Sequence, residues 1–70
     1  MRQRFDGQLA ALNRELISMG ALCEEAIAVT ARSVLDADRA LAGRISALEE
    51  EIDQKEREIE RVCLRLLLQQ

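Results

Sequence analysis

The chain from residue 45 onward, ISALEEEIDQKEREIERVCLRLLLQQ, carries two parallel stripes of side chains. Apolar residues recur in alternating steps of four and three, the spacing that puts side chains on one face of an α-helix. This apolar seam consists of Leu41, Ile45, Leu48, Ile52, Ile59, Val62 and Leu66, with Lys55 in the one missing place. One position further round, the same steps place Glu49, Asp53, Glu56 and Glu60, then Cys63 and Leu67. The pattern predicts a long helix with an acidic stripe beside its packing face.

A second long helix is predicted before this one, joined to it by a tight turn. Helix one is expected over about residues 6–35 with Asp6 as its N-cap, and helix two over about residues 39–68. The turn falls at residues 36–38, where Asp38 can cap helix two. The predicted packing face of helix one is Leu9, Leu12, Leu16, Met19, Cys23 and Ala26. The fold class is therefore all-α, an antiparallel hairpin of two long helices.

Several apolar residues lie outside both packing faces, namely Ile17, Leu22, Ile27, Val29, Val34 and Leu67. A two-helix hairpin buries one stripe of each helix and leaves these residues uncovered, so we expect the chain to self-associate into a helical bundle. Gly20 costs about 1 kcal/mol relative to Ala inside a helix. We expect the close approach of a neighbouring helix to compensate for that cost.

Composition excludes several classes of function. The chain has 70 residues, no His, no Tyr or Trp, and a net charge of −3. Without His there is no Ser–His or Cys–His nucleophilic site and no imidazole metal ligand, so we predict no catalytic residue and no enzyme. A nucleic-acid partner would require a basic face. No signal peptide or membrane-spanning run is visible, so the sequence predicts a cytoplasmic protein without direct membrane insertion.

The two cysteines are expected to be free thiols. Antiparallel helices would separate Cys23 from Cys63 by about 18 Å along the axis, which excludes an intrachain disulfide but leaves an intermolecular one open. Their expected role is that of small hydrophobic residues at the edge of a packing face.

The acidic stripe is the one feature with candidate chemistry. Glu49 and Asp53 are one turn apart, so both can reach one hard cation, and Glu56 extends the line. Glu24, brought near by the turn, and Glu60 are further candidate ligands. The simpler interpretation is that these carboxylates are solvated positions beside a helical seam.

Lys55 interrupts the apolar seam of helix two between Ile52 and Ile59. The favoured interpretation is a lysine whose stem packs while its ammonium reaches water. The alternative is a polar residue that sets the register by pairing with an acidic group across the interface. Spacing of four also predicts helix-stabilising pairs of Glu51 with Lys55 and of Asp53 with Arg57.

The order of these residues resembles PhoU-type phosphate-transport regulators over nearly all of the chain. The positions that carry the resemblance are Phe5–Asp6, Met19–Gly20, Glu24, Ile52–Asp53, Glu56, Ile59–Glu60, Cys63–Leu64 and Gln69–Gln70. The resemblance implies a partial PhoU-like domain over residues 1–70, formed by the first two helices of a three-helix bundle whose third helix would cover the leftover apolar residues. Some PhoU-like proteins bind iron or zinc clusters through an acidic–x–x–x–Asp motif, which Glu49 and Asp53 match.

The function implied by this resemblance is that of a non-catalytic adaptor. PhoU-like proteins couple a phosphate ABC transporter to a sensor histidine kinase and restrain the phosphate-starvation response. Two alternatives stay open from the residues alone: a structural module that only oligomerises, and a carboxylate metal-binding bundle with iron, zinc or manganese.

Overall fold

The computed structural model describes residues 2–68. It consists of α1 (Arg2–Asp36) and α2 (Leu41–Leu68), packed antiparallel as a hairpin. The predicted all-α hairpin is thus confirmed, whereas self-association stays a prediction. The Gln69–Gln70 pair named in the family resemblance lies outside the described residues.

The predicted helix boundaries change at two ends. Asp6 lies inside α1, which already includes Arg2, so its predicted role as an N-cap is wrong. Arg and Gln are good helix formers, and no Pro precedes Asp6, so nothing stops the helix there. Residues 39–40 form a turn and α2 starts at Leu41, two residues later than predicted.

The turn between the helices is closed by backbone hydrogen bonds. Ala37 has a φ of 50°, in the left-handed region, and the Asp38 amide donates to the Ser33 carbonyl at 3.2 Å. This six-to-one bond after a left-handed residue is the Schellman type of helix ending, in which Gly usually occupies the left-handed position. The chain therefore reverses direction at a residue that does not favour this conformation.

Asp38 caps the start of α2, as predicted. Its Oδ1 accepts a hydrogen bond from the Ala40 amide at 2.9 Å. Its carbonyl oxygen accepts from the Leu41 amide at 3.3 Å, and the Arg39 carbonyl accepts from the Ala42 amide at 3.1 Å. The two backbone bonds span three residues rather than four, which explains why the regular α-helix begins only at Leu41.

The packing face of α2 is confirmed in full. All seven apolar seam residues and Lys55 are buried or half-buried, and the positions on either side are mostly exposed. Leu48 is 0% exposed and Leu66 is 7% exposed, and they are the two buried hydrophobic residues of the described chain. The core is therefore a single thin row of side chains.

The packing face of α1 is rotated from the predicted one. Leu9 and Leu16 are exposed, whereas Leu22 and Val29, expected outside the interface, are half-buried within it. The observed face consists of Phe5, Gln8, Ala11, Leu12, Glu15, Ser18, Met19, Leu22, Cys23, Ala26, Val29 and Ser33. A face containing Leu16 would turn the neighbouring Glu15 away from α2.

Gly20 does not meet a neighbouring helix. A Cβ atom built on Gly20 finds no atom within 4 Å, because this residue lies on the exposed side of α1. The predicted close approach is therefore wrong for the hairpin, whose second helix packs against a different face.

The hairpin is a rod, with extents of 53 × 15 × 11 Å and a radius of gyration of 16.1 Å. A compact domain of this length would have a radius of gyration of about 11 Å. Large apolar side chains stay exposed, including Ile27 at 71% and Leu67 at 67%. Within residues 2–68, neither helix has a stretch apolar enough to cross a bilayer.

Replacing Ala37 with Gly is expected to stabilise the hairpin by about 0.5–1 kcal/mol. The left-handed conformation costs an L-residue roughly 1–2 kcal/mol, and the greater backbone entropy of unfolded Gly offsets part of the gain. Urea unfolding followed by circular dichroism measures the change. The matched control is Ala31→Gly, exposed within α1, which should lower the free energy of unfolding by about 1 kcal/mol. Equal losses in both variants would contradict the account of the turn.

Candidate functional site

The acidic stripe lies on the exposed flank of α2. Glu49, Asp53, Glu56 and Glu60 are all exposed, while the seam residues beside them are turned towards α1. The helical repeat places these four carboxylates in a line, so each is one turn from the next. Their placement beside the seam is as the sequence predicts.

The hairpin alone does not gather these residues into a metal centre. Among the described residues, no three acidic or Cys side chains come close enough together to hold one ion. Glu24 is exposed on α1 and does not join Glu49 and Asp53 in such a group. A cation held by Glu49 and Asp53 would therefore need ligands from another segment or another chain.

One side of the hairpin instead carries an ion pair between the helices and a weaker charged contact within α2. Arg44 of α2 contacts Glu25 of α1 through a hydrogen bond from Nη2 to Oε1, and its Nη1 lies 3.9 Å from Oε1 of Glu51. The hydrogen bond from Arg44 to Glu25 raises the pKa of the guanidinium. All three side chains are about half exposed, so water and salt weaken these contacts.

A second ion pair lies within the interface itself. Lys55 Nζ donates to Oε2 of Glu15 at 2.9 Å and lies 3.6 Å from Oε2 of Glu58. The Lys55 and Glu15 side chains are only 21% and 29% exposed. Their hydrogen bond lowers the pKa of Glu15 and raises that of Lys55.

These contacts revise the predictions for the charged residues. Lys55 does not simply reach water; it pairs across the interface, as in the alternative interpretation. Lys55 therefore does not pair with Glu51, and Asp53 and Arg57 form no ion pair within the described chain. Sequence reasoning missed Glu15, although it lies level with Lys55 once the chain folds back at the turn. An acidic residue of α1 level with the one polar residue of the α2 seam was the signal in the sequence that could have predicted this ion pair.

The opposite side of the hairpin, here called the open face, is apolar on one helix and acidic on the other. Each helix has exposed residues that come just after its packing face in the direction in which the helix winds. In an antiparallel pair these residues of α1 and of α2 lie on the same side of the hairpin. The open face consists of Leu9, Leu16, Ile27 and Val34 of α1 with Glu49, Asp53, Glu56 and Glu60 of α2. On the opposite side, here called the ion-paired side, Ser18 and Leu22 of α1 share a surface groove with Glu51 and Glu58 of α2.

The two cysteines are free thiols, as predicted. Cys23 on α1 and Cys63 on α2 are half-buried at the border of the interface. Their expected role as small hydrophobic residues at the edge of the packing face agrees with this position.

Comparison with known proteins gives a consistent set of relatives. A family profile described as the PhoU domain matches residues 16–70. A "Phosphate-specific transport system accessory protein PhoU homolog" of Pseudomonas aeruginosa is 32% identical over 65 residues, covering 93% of this chain and 27% of the relative. A protein of the same name from Pseudomonas putida is also 32% identical over 65 residues and is covered over 25% of its length. The chain thus spans about a quarter of the length of these curated relatives. No solved structure matches it.

The Glu15–Lys55 pair should make stability depend on pH at both extremes. Glu15, with a pKa below its usual 4.5, contributes stability that is present above pH 4.5 and is lost as pH falls through the folded-state pKa. Lys55, with a pKa above its usual 10.5, contributes stability that is present below pH 10.5 and is lost as pH rises further. Glu58 and Arg14, the other charged groups near Glu15, stay in place in the test.

We expect Glu15→Gln to flatten both limbs of a plot of urea midpoint against pH. The control is Glu50→Gln, which removes an exposed carboxyl that makes no ion pair in the described structure. Unchanged limbs in Glu15→Gln would show that the pair does not contribute to the pH dependence.

Proposed function

Because the chain belongs to the PhoU family, we propose that it acts in the regulation of phosphate uptake as a non-catalytic helical adaptor. The family resemblance inferred from the sequence is confirmed by the profile match and by both relatives. The family is regulatory and non-catalytic, which agrees with the absence of His from the chain. The proposed partners are subunits of a phosphate ABC transporter and a sensor histidine kinase, contacted on the cytosolic side of the membrane.

The open face is the observation that supports this function best. Four large aliphatic side chains of α1 are exposed at 43–76%, in a row beside the acidic stripe. Apolar side chains presented in a row on a helix, next to charges, are the usual features of a helical docking surface. No part of the described interface needs these residues, so they are free to contact another helix.

A substitution on the open face should weaken partner binding without unfolding the hairpin. We expect Ile27→Asp to reduce binding to the immobilised cytosolic domain of the sensor kinase, or to the nucleotide-binding subunit of the transporter, by roughly tenfold or more. Ile27 is 71% exposed, so helicity should be retained, which circular dichroism checks.

The matched control for that experiment is Gln54→Asp, an exposed change on the ion-paired side. It introduces the same charge but should leave binding unchanged. Equal binding by Ile27→Asp and the unaltered chain would reject the open face as the docking surface. Failure of the folded, unaltered chain to bind either partner would reject the adaptor role for this part of the protein.

Self-association is the second candidate function, favoured by the same exposed residues. A second copy that packed on the open face would complete a four-helix bundle, and the chain would then serve as an oligomerisation module. The third candidate is a metal-binding bundle, in which Glu49 and Asp53 supply two oxygen ligands, Glu56 and Glu60 are further donors, and another helix supplies the rest. Iron, zinc and manganese are the candidate metals.

Light scattering distinguishes these candidates. We expect a molar mass of two or more times the 7.9 kDa of one chain, because self-association covers the exposed leucine and isoleucine side chains. A mass that is independent of Fe²⁺, Mn²⁺ or chelator supports the oligomerisation module. Assembly that requires metal, and that disappears in Glu49→Ala or Asp53→Ala, supports the metal-binding bundle. A monomer under all conditions would reject both.

A further inference from the structure

The helix α1 has two apolar stripes that are nearly equal in size. The inner stripe, which packs against α2, contains Leu12, Met19, Leu22 and Val29. The outer stripe, which stays exposed, contains Leu9, Leu16, Ile27 and Val34. Each stripe offers four large apolar side chains, and the two lie about a quarter turn apart on the helix, with Phe5 and Cys23 between them.

Apolar burial does not by itself decide between the two stripes. The hydrophobic contribution is non-directional and roughly proportional to the area removed from water, and the two stripes carry the same number of large apolar side chains. Gly20 on the outer side leaves room for a close helix approach, so steric exclusion does not account for the choice either. A directional contact between α1 and α2 has to make the distinction.

Lys55 provides such a contact. It occupies the middle of the α2 packing face between Ile52 and Ile59, and its ammonium is hydrogen-bonded to Glu15 at 2.9 Å. With the outer stripe packed inward, Glu15 would turn towards solvent and Lys55 would face Leu16, the next residue of α1. Lys55 would then keep only its 3.6 Å contact with Glu58 of the same helix and would lose its hydrogen bond across the interface. Such a loss is costly for a side chain that is only 21% exposed, because little water is available to replace the bond.

We infer that the Glu15–Lys55 ion pair selects the face of α1 that packs against α2, and thereby keeps the outer stripe exposed. The pair acts on the rotation of α1 about its own axis. This inference concerns the folded hairpin and is independent of the proposed function. It assigns a role to the one polar break in the α2 seam.

The test follows the exposure of the two sides of α1 by thiol alkylation. Single cysteines are introduced at Ala26, in the middle of the inner side, and at Gly20, on the outer side, in a chain with Cys23→Ala and Cys63→Ala. Gly20 has open space around it, and Ala26 is half-buried. In the otherwise unaltered hairpin, the Gly20→Cys thiol should react faster than the Ala26→Cys thiol, at concentrations low enough to keep the chain monomeric.

Lys55→Ile should reverse this contrast. The substitution makes the α2 seam apolar throughout and leaves Glu15 without its partner, so α1 turns its outer stripe inward. The ratio of the Gly20→Cys rate to the Ala26→Cys rate should then fall by roughly tenfold or more. The exchange of charges, Glu15→Lys with Lys55→Glu, should restore the original ratio, because it restores an ion pair at the same place.

Two outcomes would overturn the inference. One is an unchanged ratio in a Lys55→Ile chain that circular dichroism shows to be helical. The other is failure of the exchanged pair to restore the ratio while the exchanged chain is folded. The control is Arg44→Leu, which removes the half-exposed contact with Glu25 and should leave the ratio unchanged. A reversal in Arg44→Leu would assign the selection to charges on the ion-paired side in general, and would also overturn the specific role of Lys55.

Discussion

The contact between α1 and α2 is the only tertiary interface of the described chain, and a lysine lies at its centre. Every other feature of the hairpin has to be compatible with that side chain. Lys55 donates its hydrogen bond across the interface to Glu15, and the orientation that allows this contact turns Leu9 and Leu16 towards solvent. The same orientation places Glu25 beside Arg44, so the other interhelical ion pair lies on the side of the hairpin opposite the acidic stripe.

The thin core follows from the two-helix architecture. Each helix can bury one stripe, and only Leu48 and Leu66 lose nearly all contact with solvent. A chain of this size buries only about 60% of the surface it exposes when unfolded, which leaves little margin for stability. Further contacts on the open face, whether with a partner protein or with another helix of the same protein, would add stability as well as specificity. Binding on the open face would then be thermodynamically linked to folding.

The helix α2 was predictable because its sequence offers a single interpretation. Its apolar steps of four and three are broken only at Lys55, so one face had to pack. The helix α1 was not, since its apolar residues fall on two stripes and no rule of periodicity chooses between them. Which of the two stripes packs against α2 depends on the contact between Glu15 and Lys55, which are 40 positions apart. The spacing of apolar residues within one helix contains no information about a contact between two helices.

The turn and the acidic stripe were also only partly predictable from the sequence. Asp38 was recognisable as a cap because Asp accepts amide hydrogen bonds at helix starts. The left-handed Ala37 was not recognisable, because Ala normally continues a helix. The exposure of Glu49 and Asp53 followed from their position beside the seam. Their chemistry did not, because a metal site also depends on ligands that these two helices do not bring together.

The rod shape has a practical consequence for how this protein behaves on a sizing column. A radius of gyration of 16.1 Å is what a compact protein of about 190 residues would have. A single 70-residue hairpin would therefore elute earlier than a compact protein of its mass, because elongation also raises the hydrodynamic radius that sets the elution volume. Elution volume reports the hydrodynamic radius of this molecule, which depends on its shape, and only a method that is independent of shape reports how many chains it contains.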